Sequence, residues 1–127
     1  MRLAVLLWSA ALLADGPVYR PAGYLSFPAG EEIGAMSAVA IGPQDQIYVL
    51  HRGPKPLMAF DAHGRFRKSW GQGLFRVPHG LRVDRGGGIW ATDNALNVVR
   101  KFAPDGKLLA TFGESGDVSF RAPDDLV

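Results

Sequence analysis

Cysteine is absent from the 127-residue sequence, which excludes a disulfide framework and any thiolate metal site. Clusters of like charge are also missing: 14 basic and 12 acidic residues are spread along the chain and give a net charge of +2. Binding to nucleic acid normally requires a basic patch, so no nucleic-acid partner is predicted. The sequence contains no Gly-x-Ser-x-Gly elbow and no paired-carboxylate motif. These absences argue against α/β-hydrolase and glycosidase chemistry.

Long apolar runs are scarce, and the main one lies at the N-terminus. It follows Met1-Arg2 and stops at Asp15, short of the roughly 20 residues that a membrane span needs. A single positive charge, an apolar core and small residues before the break are typical of a secretory signal peptide. We therefore predict a signal peptide at residues 1 to 14, a secreted or periplasmic location and no membrane span. The alternative is an uncleaved first segment. Residues 15 to 35, rich in proline and glycine, predict an extended lead-in.

An internal repeat appears when the chain is aligned with itself at a shift of 42 positions. Four short apolar runs separated by turn residues recur in each unit. A repeat of about 40 to 45 residues with four strands is typical of a β-propeller blade, so the sequence predicts an all-β fold. The matched residues are Val39, Ile41, Ile47, Tyr48, Phe60, Gly64, Phe66, Trp70 and Gly71 in the first unit and Leu81, Val83, Ile89, Trp90, Phe102, Gly106, Leu108, Phe112 and Gly113 in the second.

The repeat divides the remainder of the chain into blades. We predict one blade at residues 36 to 77, a second at 78 to 122 and the start of a third at 123 to 127. Pro123 has the same place at the start of the third unit as Pro78 has at the start of the second. Because repeat arrays need at least about three units, the chain is expected to be an N-terminal fragment of a longer propeller. The alternative is a C-terminal strand that pairs with a partner.

Two residues are candidates for chemistry. His79, in Pro-His-Gly-Leu, begins the first strand of the second unit, and this strand lines the channel of a propeller. Its imidazole can bind zinc, or it can be a hydrogen-bonded structural residue. Arg52, in His-Arg-Gly, can grip a carboxylate, or it can be an ordinary exposed loop arginine. The acidic residues that follow strands are expected to hydrogen-bond local backbone amides; these are Asp61, Asp84, Asp93 and Asp105.

Taken together, these motifs resemble a known family. The chain is similar over about residues 36 to 127 to the NHL-repeat propeller of peptidyl-α-hydroxyglycine α-amidating lyases, especially their secreted bacterial relatives. The motifs that carry the resemblance include His51-Arg52-Gly53, Phe60-Asp61-x-x-Gly64, Trp70-Gly71, Pro78-His79-Gly80-Leu81, Ile89-Trp90-x-Thr92-Asp93 and Pro104-Asp105-Gly106-Lys107.

The resemblance implies a six-bladed NHL-type propeller that cleaves a peptide ending in α-hydroxyglycine into a peptide amide and glyoxylate. It implies that His79 is one of three zinc ligands and that Arg52 is an active-site residue. It further implies that the backbone carbonyls of Val39 and Leu81 bind a structural calcium ion. The other histidines, His51 and His63, do not match the zinc positions.

The remaining zinc histidines, an acidic calcium ligand and a tyrosine base belong to later blades in that family. The resemblance therefore implies an inactive fragment that holds neither metal stably, within a full-length zinc-dependent lyase. One alternative is a non-catalytic NHL propeller that binds a protein or a small ligand. Another is a calcium-dependent hydrolase or lactonase-like propeller, which would carry acidic residues where His79 stands.

Overall fold

The structure is a computed structural model that describes residues 16 to 113. The predicted signal peptide and the predicted start of a third blade lie outside these residues. Within them the chain forms eight strands in two antiparallel sheets and no helix, which confirms the all-β prediction. No helix that is long and apolar enough to span a membrane occurs in the described part of the chain.

Each sheet contains four strands in chain order. The first sheet consists of β1 (Met36–Ile41), β2 (Ile47–His51), β3 (Leu57–Phe60) and β4 (Phe66–Trp70). The second consists of β5 (Pro78–Val83), β6 (Ile89–Asp93), β7 (Val98–Phe102) and β8 (Leu108–Phe112). β1 and β5 are the strands through which the two sheets meet, so they are the inner strands, and β4 and β8 are the outer ones.

The 42-residue repeat is visible in the backbone as well as in the side chains. The turns between β3 and β4 and between β7 and β8 place Gly64 and Gly106 at φ 77° and 91°, in the left-handed region that favours glycine. The register slips between Ala59 and Phe60, and again at the equivalent point of the second sheet. Each repeat unit therefore forms one sheet with the same local irregularities.

The two sheets pack face to face around a shared apolar cluster. Buried members from the first sheet are Tyr48, Leu50, Leu57 and Ala59, and those from the second are Leu81, Ile89, Ala91 and Phe102. A smaller cluster covers the other face of the first sheet, where side chains of the lead-in, Leu25 and Ile33, pack against Val49, Met58 and Phe60. The first sheet is thus covered by the second sheet on one face and by the lead-in over the outer part of the other, where the inner strand leaves Val39 60% exposed.

The side chain of Phe102 is the centre of the contact between the sheets. It is fully buried, and its ring packs against those of Trp70 and Phe75 with centroid distances of 6.4 and 6.2 Å. Replacing a buried phenylalanine by alanine removes these contacts and leaves a cavity.

We predict that Phe102→Ala lowers the free energy of unfolding by about 3–5 kcal/mol, measured by urea denaturation. The matched control is Leu109→Ala on β8, whose side chain is 54% exposed and should change stability by less than about 1 kcal/mol. Equal losses for both variants would contradict the packing described above.

Candidate active site

Arg52 and His79 lie at the same end of the two sheets. The register pairs Met36 with His51 and Pro78 with Asp93, so the first residues of β1 and β5 lie beside the loops that follow β2 and β6. We call this region the Arg52 end; it comprises the starts of β1 and β5 and the loops at residues 52 to 56 and 94 to 97. The hydroxyl of Ser37 joins the two inner strands there by donating to the carbonyl of Pro78 at 2.8 Å.

A β-bulge presents His79. Pairing between β5 and β6 runs from Pro78 opposite Asp93 directly to Leu81 opposite Ala91, which leaves His79 and Gly80 without partners in the register. The N–H of Gly80 instead donates to the hydroxyl oxygen of Thr92 at 2.8 Å. A side chain at Gly80 would place its Cβ 2.9 Å from that oxygen, so a larger residue would have to push Thr92 aside. Bulges of this kind re-aim a side chain, and the imidazole of His79 is exposed.

Arg52 is presented by a loop that its neighbours hold in place. The backbone N–H of Arg52 donates to the carbonyl of Ala35 at 3.0 Å, and its side chain is exposed. The next residue, Gly53, approaches the carbonyl of Glu32 so closely that a Cβ would lie 2.6 Å from it. The His-Arg-Gly motif therefore combines a buried histidine, a projecting guanidinium and a glycine that allows close approach of the lead-in.

His51 and Asp93 perform the same structural task one repeat apart. Nδ1 of His51 accepts hydrogen bonds from the N–H groups of Gly34 at 3.2 Å and Gly53 at 3.0 Å. One repeat later, the carboxylate of Asp93 accepts from Arg76 at 2.6 Å and Ala95 at 3.0 Å. Both side chains thus fasten the segment before the sheet to the loop after the second strand. The prediction that Asp93 binds local backbone amides is confirmed, and His51 is its counterpart.

The turn aspartates also bind backbone amides, as predicted. Asp84 accepts from Gly86 and Gly88, Asp61 accepts from His63 and Arg65, and Asp105 accepts from Lys107. In Asp84 and Asp61 these bonds stabilise the charged carboxylate. The pKa of Asp84 is lowered mainly by the indole N–H of Trp90, which donates to it at 2.9 Å. The pKa of Asp61 is lowered mainly by the amide of Arg65. All three residues lie at the end of the sheets opposite Arg52.

Burial lowers the pKa of His51. The side chain is fully buried, and desolvation disfavours the imidazolium more than the backbone carbonyl of Lys55 and the carboxylate of Glu31 favour it. Nδ1 accepts two N–H groups, so the neutral ring carries its proton on Nε2. His51 therefore acts as a neutral hydrogen-bond acceptor, and protonation of Nδ1 would break both bonds.

The two residues predicted to bind calcium differ in their surroundings. Val39 lies on β1 with 60% of its surface exposed, whereas Leu81 on β5 is 2% exposed. The carbonyl of Leu81 accepts a hydrogen bond from the guanidinium of Arg82 at 3.1 Å. A calcium ion at this carbonyl would lie close to that guanidinium and be repelled by it. Within residues 16 to 113, no group of three or more His, Asp or Glu side chains is placed to hold a metal ion.

The structure therefore places Arg52 and His79 at one end of the sheets. Zinc binding by His79 and an active-site role for Arg52 stay predictions. Sequence reasoning did not identify Ser37 and Thr92 as residues that position the site. It also did not identify His51 as a hydrogen-bond acceptor. The signal for His51 was present in the 42-residue repeat, which aligns it with Asp93. Because histidine and aspartate can both accept hydrogen bonds, ligate metals or transfer protons, the alignment did not identify their shared role without the backbone partners.

Two consecutive four-stranded sheets, repeated at 42 residues and packed face to face, have the architecture of adjacent β-propeller blades. The candidate site lies at one end of these blades, beside the inner strands. No family model matches the sequence. Curated relatives that the chain resembles over part of their length include peptidyl-α-hydroxyglycine α-amidating lyases and peptidyl-glycine α-amidating monooxygenases.

Three relatives illustrate the extent of the similarity. The chain is 37% identical over 79 residues to peptidyl-α-hydroxyglycine α-amidating lyase 1 of Drosophila melanogaster, covering 57% of this chain and 15% of the relative. It is 32% identical over 107 residues to lyase 2 of the same organism, covering 64% and 26%. A probable lyase of Caenorhabditis elegans is 29% identical over 112 residues, covering 69% and 32%. The chain thus spans less than a third of the length of each.

We predict that His51→Ala lowers the free energy of unfolding by about 2–4 kcal/mol, because it leaves a cavity and two partly buried N–H groups without an acceptor. The matched control is His63→Ala, which changes an exposed turn residue and should alter stability by less than about 0.5 kcal/mol. Chemical denaturation at neutral pH measures both.

The pH dependence of stability provides a separate test of His51. Its folded-state pKa lies below the ordinary value of 6.5, so the unfolded chain binds more protons as the pH falls. Stability should therefore be fully present above pH 6.5 and decline as the pH falls from there towards the folded pKa. In His51→Asn, which keeps an acceptor and does not titrate, this part of the decline should disappear. An unchanged pH profile in that variant would show that His51 is not the titrating group.

Proposed function

We propose that this chain contributes an arginine and a histidine to the active site of a zinc-dependent lyase, which cleaves peptidyl-α-hydroxyglycine to a peptide amide and glyoxylate. The observation that carries the proposal is the joint presentation of Arg52 and His79 at one end of two adjacent blades, each on a braced backbone. The names of the similar lyases supply the reaction class. A secreted or periplasmic location belongs to the same proposal.

The guanidinium of Arg52 would bind the carboxylate of the substrate. A peptide that ends in α-hydroxyglycine carries this group on the carbon whose bond to nitrogen breaks. A guanidinium binds a carboxylate through two parallel hydrogen bonds, which fixes the orientation of the group as well as its position. In the reaction the hydroxyl loses a proton, the C–N bond breaks and the amide nitrogen gains a proton. Arg52 would thus orient the reacting carbon without taking part in proton transfer.

The described residues do not form a metal site by themselves. His79 supplies one imidazole, whereas zinc sites in proteins use three or four protein ligands, and no cluster of ligating side chains occurs between residues 16 and 113. The carbonyl of Leu81 is already bound by Arg82. We therefore propose that His79 is one ligand of a zinc site, and Val39 and Leu81 part of a calcium site, only together with residues outside the described part. The chain alone is then inactive.

A non-catalytic binding module is the second candidate. An exposed arginine and an exposed histidine on a rigid end of two blades can bind an anionic group without any reaction. The two candidates differ in whether Arg52 supports turnover or only binding.

The test is a chimera in which the matched segment of the Drosophila melanogaster lyase 1 is replaced by the corresponding residues of this chain. We expect the chimera to release glyoxylate from a peptidyl-α-hydroxyglycine. Arg52→Ala should lower kcat/KM by about 10- to 100-fold, because a charge-assisted bidentate contact is lost. The effect should fall mainly on KM.

Arg85→Ala is the matched control, since Arg85 is an exposed arginine in the turn at the opposite end of the second sheet. It should leave the activity of the chimera unchanged. A chimera that folds and shows no lyase activity would favour the binding module, and equal effects of the two arginine variants would remove Arg52 from the site.

For the isolated chain we predict no tight, stoichiometric zinc binding in a calorimetric titration, because a single imidazole cannot hold the ion. His79→Ala should leave this result unchanged. Tight one-to-one binding that is lost in His79→Ala would contradict the prediction and reveal further ligands within the chain.

A further inference from the structure

The loop that carries Arg52 is joined to the lead-in around one side chain, that of His51. The N–H of Arg52 donates to the carbonyl of Ala35. The residues that flank this bond, Gly34 and Gly53, both donate their N–H groups to Nδ1 of His51, at 3.2 and 3.0 Å. We call the contact between residues 34 to 35 and 52 to 53 the Arg52 junction. A single nitrogen atom therefore holds this junction from both sides.

The second unit closes the equivalent junction with a different acceptor. The two oxygens of Asp93 accept from Arg76 at 2.6 Å and from Ala95 at 3.0 Å. These two donors stand one repeat of 42 residues after Gly34 and Gly53. The backbone frame of the junction is thus repeated, while the acceptor changes from a carboxylate to an imidazole in the unit that carries an arginine.

The two kinds of acceptor respond differently to a proton. A carboxylate has about four lone pairs and still accepts after it gains a proton, whereas a neutral imidazole has one acceptor nitrogen. A proton on Nδ1 of His51 occupies the position to which both N–H groups now donate. The other nitrogen, Nε2, has no hydrogen-bond partner in the described part of the chain. The closed junction therefore accommodates the neutral ring and not the imidazolium.

The charged groups that face His51 belong to the lead-in and to its own loop. Side chains alternate along β2, so His51 points to the same face as Val49, which packs on the lead-in, and away from the second sheet. The lead-in contributes Glu31 and Glu32 and the loop contributes Arg52 and Lys55, whereas β1 and β3 contain no charged residue.

These surroundings make opening of the junction dependent on pH. Burial disfavours the charged ring more than the carbonyl of Lys55 and the carboxylate of Glu31 favour it, so the pKa of His51 lies below 6.5 while the junction is closed. In an open junction, water reaches the ring and its pKa returns towards the ordinary value. As the pH falls below 6.5, the ratio of open to closed junctions therefore rises, by up to about tenfold per pH unit, until the closed form is itself protonated.

A second link between the same segments persists in this pH range. The carboxylate of Glu31 accepts a hydrogen bond from Ser69 at 2.8 Å and pairs with Lys55 at 3.3 Å. The bond from Ser69 is the main cause that lowers the pKa of Glu31 below its ordinary value of 4.5, so the carboxylate stays charged when His51 gains a proton. The lead-in therefore stays attached beside the loop, and the opening is local to the junction.

We propose that His51 is a positioning residue for Arg52, which fixes the loop while its ring is neutral and releases it on protonation, so that acid weakens the binding of a carboxylate at Arg52. The nitrogen that gains the proton is the one that holds Gly53, the residue next to Arg52. The consequence for catalysis rests on the proposed lyase function and deepens it, whereas the release of the loop does not depend on that function.

NMR spectra of the full-length chain between about pH 7.5 and pH 4.5 test the release. We expect the amide proton signals of Gly34 and Gly53 to move upfield as their hydrogen bonds are lost, with the same apparent pKa as the ring of His51. The signals of Arg76 and Ala95, which are bonded to a carboxylate, should keep their folded positions. Signals of Gly34 and Gly53 that stay in place, or folded signals that disappear together at all four amides, would overturn the proposal.

Two variants identify the titrating group. His51→Asn keeps an acceptor and does not titrate, so the signals of Gly34 and Gly53 should stay in their bonded positions down to about pH 4.5. His63→Asn, which changes an exposed histidine of the β3–β4 turn, should behave as the unmodified chain does. The same titration in His51→Asn as in the unmodified chain would exclude His51. If His51→Asn does not fold, the comparison of the four amides in the unmodified chain decides the question.

The chimera with the Drosophila melanogaster lyase 1 tests the consequence for the substrate. We expect its KM for a peptidyl-α-hydroxyglycine to rise as the pH falls below 6.5, by up to about tenfold per pH unit and with a smaller change in kcat. His51→Asn should remove this rise, and an identical rise in that variant would overturn the role of His51. A chimera that is inactive at every pH contradicts the lyase proposal instead, and the amide signals then decide the release of the loop.

Discussion

The constraint on which the structure depends is that a four-stranded sheet with two apolar faces must be covered on both. In the first sheet the second sheet covers one face, and the lead-in covers the outer part of the other and leaves Val39 on β1 60% exposed. Within residues 16 to 113 the second sheet has only one covered face. On the other, Trp90 and Lys101 occupy the positions at which the first sheet buries Tyr48 and Ala59. There the indole stacks on Phe112 at 5.8 Å and lies under the ammonium group of Lys101 at 4.6 Å.

A second interaction connects this packing to the candidate site. Each unit buries one hydrogen-bond acceptor at the end of its second strand, His51 or Asp93, and this acceptor fastens the incoming segment to the outgoing loop. The loops that follow these acceptors are therefore held by hydrogen bonds at their base. Arg52 gains its fixed position from this arrangement. A buried group left without its acceptor costs about 1–3 kcal/mol, so the site and the stability of the blade share one interaction.

The sequence was sufficient to predict the all-β class and the repeat, because these depend on apolar periodicity and turn residues that are local in the chain. It also indicated that Asp61, Asp84 and Asp105 bind turn amides, which are only two to four residues away. It could not show that Ser37 joins the two inner strands, since that contact spans 41 residues. The acceptor role of His51 was hidden for the same reason, because the N–H of Gly34 reaches it across 17 residues.

The position of His79 illustrates how far local geometry can support a function. The bulge, the Gly80–Thr92 hydrogen bond and the buried Pro78 together place an exposed imidazole beside the inner strands. These contacts explain why the motif is Pro-His-Gly, since each flanking residue has a steric or hydrogen-bonding task and the histidine has none in the described part of the fold. A side chain held out by its neighbours and bound by none of them is available for a ligand. The chemistry at His79 is then decided by the groups that complete the site.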